Sequence, residues 1–169
     1  MQHLNRPINN TGDSEIDKPV KIMLADDDLD DQQTFAAAIE EAHIKADITI
    51  VENGQEVIDK LKDPSDPNPD IIFLDVNMPI KDGKETLEEI KSDETLKNIP
   101  TVMLSTSDHP KDVEETFEQG ANLYIKKPSS FRGLIMLIKK VFKLHWAKTL
   151  LNPIRKSFLV TEQSVSKEE

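Results

Sequence analysis

A doubly wound α/β sandwich, with helices on both faces of a five-stranded parallel sheet in a single domain, is the fold this sequence predicts. Three observations lead there. The cores of runs such as VKIMLA (20–25), IIFLD (71–75) and PTVMLS (100–105) are continuously apolar rather than alternating, the pattern of strands covered on both faces. Between such runs, apolar residues recur at helical spacing, as Phe35, Ala36, Ile39 and Ala42 do. Strand and helix patterns also alternate along the chain, which makes neighbouring strands parallel and their crossovers helical.

Taken in order, VKIMLA is bounded by Pro19 and an acidic cluster and reads as a buried strand. DQQTFAAAIEEA (31–42) is the first helix. DITIV (47–51) is a β-branched strand, and EVIDKLK (56–62) is a short helix after the Asn53-Gly54 turn. DPSDPNPD (63–70) is irregular, because three prolines remove donors and restrict their neighbours. IIFLD is the third strand, KETLEEIKS (84–92) a helix, and PTVMLS the fourth strand. PKDVEETFEQG (110–120) is a helix that Pro110 opens and Gly120 stops. ANLYIKK (121–127) is the fifth strand, and SSFRGLIMLIKKVFKLHW (129–146) a long last helix with Ser129 or Ser130 as its cap. On that helix Phe131, Leu134, Ile135, Ile138, Val141 and Phe142 form a core-facing stripe, while Met136, Leu137 and Leu144 lie off it.

Residues 1–18 are polar and read as a flexible tail, 19–147 as the folded domain, and 148–169 as a C-terminal extension. The extension begins with apolar clusters (Leu150, Leu151; Phe158, Leu159, Val160) and ends polar. Docking on this domain, an interaction with a partner and partial disorder are all open to it.

With 21 Lys and Arg against 32 Asp and Glu, the net charge is −11. Binding to nucleic acid gains from releasing counterions to a basic surface, so this balance argues against such a partner. No run approaches the ~18 apolar residues of a membrane span, and the first residues lack the apolar core of a secretory signal. Cys is absent, which excludes disulfides and thiolate chemistry, and the four His show no metal-ligand spacing. The expectation is an acidic cytoplasmic protein.

The strand ends carry the chemistry, since ligands of an open parallel sheet bind at the carboxyl ends of its strands. Strand one ends in Asp26, Asp27 and Asp28, strand three in Asp75, strand four in Ser105-Thr106, and strand five in Lys126-Lys127-Pro128. Each has an ordinary explanation alone: the acids as a solvated helix start, Asp75 as a turn cap, Ser105 as structural, Lys127 as a surface lysine. Together they place acids, a hydroxyl and an amine on one sheet edge. Crowded carboxylates raise a pKa or admit a cation, and Mg2+ takes one or two carboxylates while keeping waters for a phosphoryl oxygen. Asp75 is then a nucleophile toward phosphorus, with Lys127 and Ser105 neutralising the phosphoryl oxygens. Pro128 fixes the backbone beside Lys127, with a cis peptide as one option.

With these residues in view, ADDD, FLDVNMPIKDG, PTVMLST and GANLYIKKP resemble, in order, the motifs of the receiver domain of two-component response regulators, over roughly residues 20–145. The wording of the last two segments is similar to stand-alone receivers that partner phytochromes. The resemblance implies a flavodoxin-like (βα)5 fold and Asp75 as phosphoacceptor. It implies Mg2+ held by Asp27, Asp75 and the Asn77 main-chain carbonyl, with Asp26 assisting through water. Ser105 would be the switch hydroxyl, Lys127 the invariant lysine, and Tyr124 the switch aromatic. The donor would be a phosphohistidine on a sensor histidine kinase or phosphotransfer protein. The domain would be a regulatory switch with self-assisted phosphorylation and dephosphorylation, not a turnover enzyme. Its output would be a protein partner, or a homodimer, on the surface of helix four, strand five and helix five.

Two rivals share parts of this pattern. A haloacid-dehalogenase-type phosphatase also uses a strand-end Asp, a Ser or Thr and a Lys. It requires a second Asp two residues past the nucleophile, where this chain has Asn77. A receiver that has lost phosphorylation would not keep every acid, hydroxyl and amine. A dinucleotide-binding fold is excluded, because no G-x-G-x-x-G follows the first strand.

Overall fold

The computed structural model describes residues 18–146 and 148–167. The expectation of a flexible tail at 1–18 therefore lies, except for Lys18, outside the described residues. The elements run β1 (Val20–Ala25), α1 (Leu29–Glu41), β2 (Ala46–Val51), α2 (Gly54–Lys62), β3 (Ile71–Asp75), α3 (Gly83–Ser92), β4 (Thr101–Ser105), α4 (Pro110–Glu118), β5 (Leu123–Lys126) and α5 (Phe131–Trp146). A 3-10 turn (Thr149–Leu151), α6 (Arg155–Phe158), β6 (Leu159–Val160) and α7 (Glu162–Ser166) follow.

The strands form one sheet in the order β2-β1-β3-β4-β5-β6, and every pairing is parallel. The predicted sheet had five strands. The sixth is the two residues of β6, which the extension lays along the outer edge of β5. So short a strand carries no readable period, and its pairing is decided by what lies opposite.

The two faces of the sheet hold separate apolar layers. On one, Ile22, Leu24, Ile71 and Phe73 pack with Phe35 of α1 and Leu137, Ile138, Val141 and Phe142 of α5. Phe73 meets Phe35 edge-on at 4.9 Å and Phe142 at 6.1 Å between ring centroids. On the other, Met23, Ile72 and Leu74 pack with Val57, Leu87, Ile90 and Val113 from α2, α3 and α4. All five residues of β3 are buried, as a central strand with continuous apolar sequence requires.

Caps set the helix ends. Asp28, Asn53 and Asp82 each cap a helix through the side chain, and Asp82 forms a capping box with Glu85. Ser130 Oγ accepts from Gly133 N at 3.0 Å and caps α5. Gly120, at φ 98°, ends α4 in the left-handed region, with Ala121 N donating back to Thr116 O at 3.0 Å.

The stripe on α5 departs from expectation. Leu137 is fully buried while Phe131 is 42% exposed, and Met136 and Leu144 pack against the same layer as Leu134 and Ile135. The helix packs into the apolar layer on the sheet and meets α1, the 3-10 turn and α7. Its apolar band is accordingly wider than a single stripe.

Candidate functional site

The acids that end β1 divide between two tasks. Asp28 caps α1, its carboxylate accepting from Asp31 N at 2.9 Å. Asp26 turns inward and is 2% exposed. Its Oδ1 accepts from Asp28 N at 2.9 Å, and the buried Gln32 side chain donates to its carbonyl at 2.7 Å. Asp27 is exposed. Leu74 pairs with Ala25, so Asp75 comes up beside Asp26 on the neighbouring strand. The Asp75 backbone is pressed against the start of α3: a Cβ on Gly83 would lie 2.1 Å from the Asp75 carbonyl oxygen. Only glycine admits that approach. Asn77 N donates to Asp75 Oδ1 at 3.0 Å and holds the carboxylate in the following turn.

Across this group lies Lys127. Its ammonium donates to Asp26 Oδ2 at 3.0 Å, Asp31 Oδ2 at 2.8 Å and Asp75 Oδ2 at 2.8 Å. Burial alone would push the amine down, but the hydrogen bonds and charges of Asp31, Asp75 and Asp26 outweigh it and hold the amine well above its ordinary value. Asp26 is raised, first because burial disfavours its charge, with Asp28 N and Lys127 opposing and the charge of Asp75 adding a little. A raised carboxylate among these acids is what their crowding predicted, although burial is the larger cause. Ligand oxygens of Asp26, Asp27 and Asp75 all lie within 4.8 Å of one another.

Ser105 ends β4 and is buried. Its hydroxyl accepts from Ser107 N at 3.1 Å, and its carbonyl accepts from Lys127 N at 2.7 Å. Tyr124, in β5, is fully buried, and its hydroxyl donates to the Ser107 carbonyl at 2.7 Å. The phenol is raised by burial, with the Ser105 hydroxyl working against it. The structure thus gathers Asp26, Asp27, Asp75 and Lys127 into direct proximity. Ser105 and Tyr124 are linked through the 105–107 turn, and Asn77 joins through its backbone. No cis peptide occurs among the described residues, so Pro128 follows a trans bond.

Sequence reasoning missed Asp31 and Gln32. Asp31 lies three residues past the capping Asp28, on the first turn of α1, where a carboxylate can face back toward the strand ends; that spacing was the available signal. A recess of about 150 Å3 lies beside these groups, between α1 and the β5–α5 turn. Asp26, Asp31 and Lys127 line it together with Phe35 and Phe131, which contribute apolar sides. Asp27 and Asp31 are exposed at this edge, whereas Asp26 and Asp75 are buried.

Residues 22–139 match the family described as the response regulator receiver domain. Response regulator Rcp1 of Synechocystis sp. is 30% identical over 143 residues, which takes in 82% of this chain and 97% of Rcp1. The crystal structure of the phosphorylated cyanobacterial phytochrome response regulator RcpA is similar with a TM-score of 0.71 at 32% identity, over 78% of this chain and 96% of that one. The Mn2+-bound form of Rcp1 is similar with a TM-score of 0.68 at 29% identity, over 80% and 97% of the two chains. No helix among the described residues is long and apolar enough to cross a membrane.

Proposed function

Since this chain belongs to the response regulator receiver family, we propose that it is a phosphorylation-operated switch in which Asp75 accepts a phosphoryl group. One observation carries the reading: the Lys127 ammonium converges on Asp75 beside Asp26, with Asp27 close by. A carboxylate oxygen of Asp75 attacks phosphorus, the new O–P bond forms as the P–N bond of a phosphohistidine breaks, and the imidazole leaves with a proton. The donor is a sensor histidine kinase or a phosphotransfer protein. Such a transfer needs in-line positioning and neutralised oxygens more than acid or base chemistry. Lys127 supplies one fixed charge at Asp75. The Ser105 hydroxyl, on the neighbouring strand, supplies a second donor once it turns toward the phosphoryl group.

The donor set fits a hard divalent cation. Three carboxylates offer oxygens within 4.8 Å, with no sulfur or imidazole among them. Asp27, Asp75 and the Asn77 carbonyl would hold Mg2+, with Asp26 assisting through water. When bound, Mg2+ neutralises charge on the phosphoryl oxygens. The residues' own part is to aim Asp75 and to keep Asp26 and Asp31 on Lys127, so that the ammonium stays at the edge of the site.

Phosphorylation adds about −1.5 to −2 charges at the sheet edge. The Ser105 hydroxyl follows that charge and gives up Ser107 N, and the 105–107 turn that holds Tyr124 readjusts. Output therefore runs through α4, β5 and α5. A homodimer on that face has to build on β6 as well, since β6 lies along β5; sedimentation of the native chain at micromolar concentration, with and without phosphorylation, measures it. The test of the whole reading is intact mass after incubation with acetyl phosphate or phosphoramidate and Mg2+. One phosphoryl group is expected on the native chain and none on Asp75→Asn. Repeated hydrolysis of small phosphate esters without a stable adduct would instead indicate a phosphatase.

A further inference from the structure

The output face already has an occupant. β6 runs along β5 with Leu159 opposite Tyr124 and Val160 opposite Ile125. Phe158, just before it, is fully buried. Its ring stands edge-on to Phe117 at 5.1 Å and lies against Tyr124 at 6.3 Å between centroids. Three polar fastenings hold the same segment. Asn122 Nδ2 donates to the Leu150 carbonyl at 3.0 Å, and Arg155 Nε donates to Glu114 Oε2 at 2.6 Å. The Glu162 carboxylate accepts from the Ser130 hydroxyl and from Ser129 N at 3.4 Å, two residues past Lys127. A Cβ on Gly133 would come within 2.4 Å of Glu162 Oε1, so α5 leaves room for that carboxylate.

We propose that residues 149–166 are a built-in ligand of the α4–β5–α5 face, and that their docking and a phosphoryl group on Asp75 favour each other. This rests on Asp75 being the phosphoacceptor. The coupling is steric. Phe158 and β6 fill the space that Tyr124 would enter if its ring left the core, so a docked segment and an outward Tyr124 exclude each other. The inward ring is tied to the site, because its hydroxyl donates to the Ser107 carbonyl while Ser107 N donates to Ser105 Oγ. A Ser105 hydroxyl that turns to a phosphoryl oxygen moves away from the ring and gives the inward position more room. The turn gives up Ser107 N, but the Tyr124 hydroxyl keeps its bond to the Ser107 carbonyl, so the ring stays inward and the platform under Phe158 is kept. Glu162 acts in the same sense from the other side, since it steadies Ser129 and with it the Lys127 loop. Linkage makes the effect mutual: what the phosphoryl group does for the segment, the segment does for the phosphoryl group.

The test uses beryllium fluoride with Mg2+ as phosphoryl mimic on the full chain. Amides of 157–166 are expected to exchange more slowly with the mimic than without it, by about fivefold or more. Phe158→Ala and, at the surface, Glu162→Ala are each expected to weaken mimic binding by about five- to tenfold, the usual size of such couplings. Exchange in 157–166 that is unchanged or faster with the mimic overturns the proposal, as does unchanged mimic affinity in both variants. Mimic binding with an unresponsive segment removes the coupling and leaves Asp75 as phosphoacceptor. No mimic binding and no phosphoryl uptake by the native chain removes both. Protection of 157–166 that disappears on dilution shows a segment lent by a second copy, and overturns docking within one chain.

Discussion

At the scale of single residues, one ammonium answers three carboxylates. Lys127 is shared by Asp26, Asp31 and Asp75, and it occupies the charge balance that a divalent cation would enter. Its two effects therefore have opposite signs. Replacing it, as in Lys127→Ala, removes a like charge from the metal's neighbourhood and should tighten Mg2+ binding by about 1 kcal/mol for a partly solvated site, measurable by titration calorimetry. The same change removes a donor to the phosphoryl group and should slow phosphoryl uptake by about 100-fold, read by intact mass against time. A merely structural lysine would move both in one direction. The site's acids, hydroxyl and amine were legible in the sequence because each stands at the end of a strand whose apolar run is unmistakable. Asp31 was not, since nothing along the chain says which carboxylate on a first helical turn will face inward.

At the scale of elements, α3 is joined to the sheet by a half-buried lysine. Lys91 Nζ donates to the carbonyls of Lys97 and Ile99 at 3.0 Å and to Asn122 Oδ1 at 3.2 Å. Asn122 also accepts from Thr101 N at 2.9 Å, so one amide ties α3, β4 and the 3-10 turn together. Burial pushes Lys91 from 10.5 down to about 8. The unfolded chain then binds more protons than the folded one between about 8 and 10.5, so stability rises with pH across that range. Lys127 and Lys84, held above their ordinary value, keep their protons in the folded chain while the unfolded chain releases them near 10.5, so they oppose the rise only at the top of that range. Tyr124, raised by burial, counts with the opposite sign above its ordinary 10.0. The thermal midpoint should therefore climb between about pH 8 and 10, and Lys91→Gln should flatten the climb. The helix bounds were legible to within about two residues, although Asn53, read as part of a turn, is the cap from which α2 starts. The face of α5 was not. A 3.6-residue stripe assumes one partner surface, and this helix has two, which is why Leu137 is buried and Phe131 is not.

For the whole molecule, the sheet separates two apolar layers, with β3 buried between them. Phe73 is fully buried between Phe35 and Phe142, and Phe73→Ala should cost about 3–5 kcal/mol in denaturant unfolding of the full chain. The number and parallel direction of five strands followed from alternating periods, which local sequence records. The sixth did not, because Phe158, Leu159 and Val160 are an apolar cluster without a period, and only the β5 edge opposite them makes two of them a strand. Ile80 was equally hidden: a β-branched residue at φ 69°, exposed in the loop after Asp75, stands where sequence preference would place glycine.

Val160 also bears on how the protein behaves in a concentrated solution. A parallel sheet that stopped at β5 would present a row of unpaired N–H and C=O groups, with the rings of Tyr124 and Phe117 bare beside them, and such edges recruit other chains. Two residues of strand and the turn of helix after them close that row with a minimum of new edge. Shortening the chain before residue 157 should accordingly yield a protein that still folds but precipitates, visible as light scattering that grows with concentration.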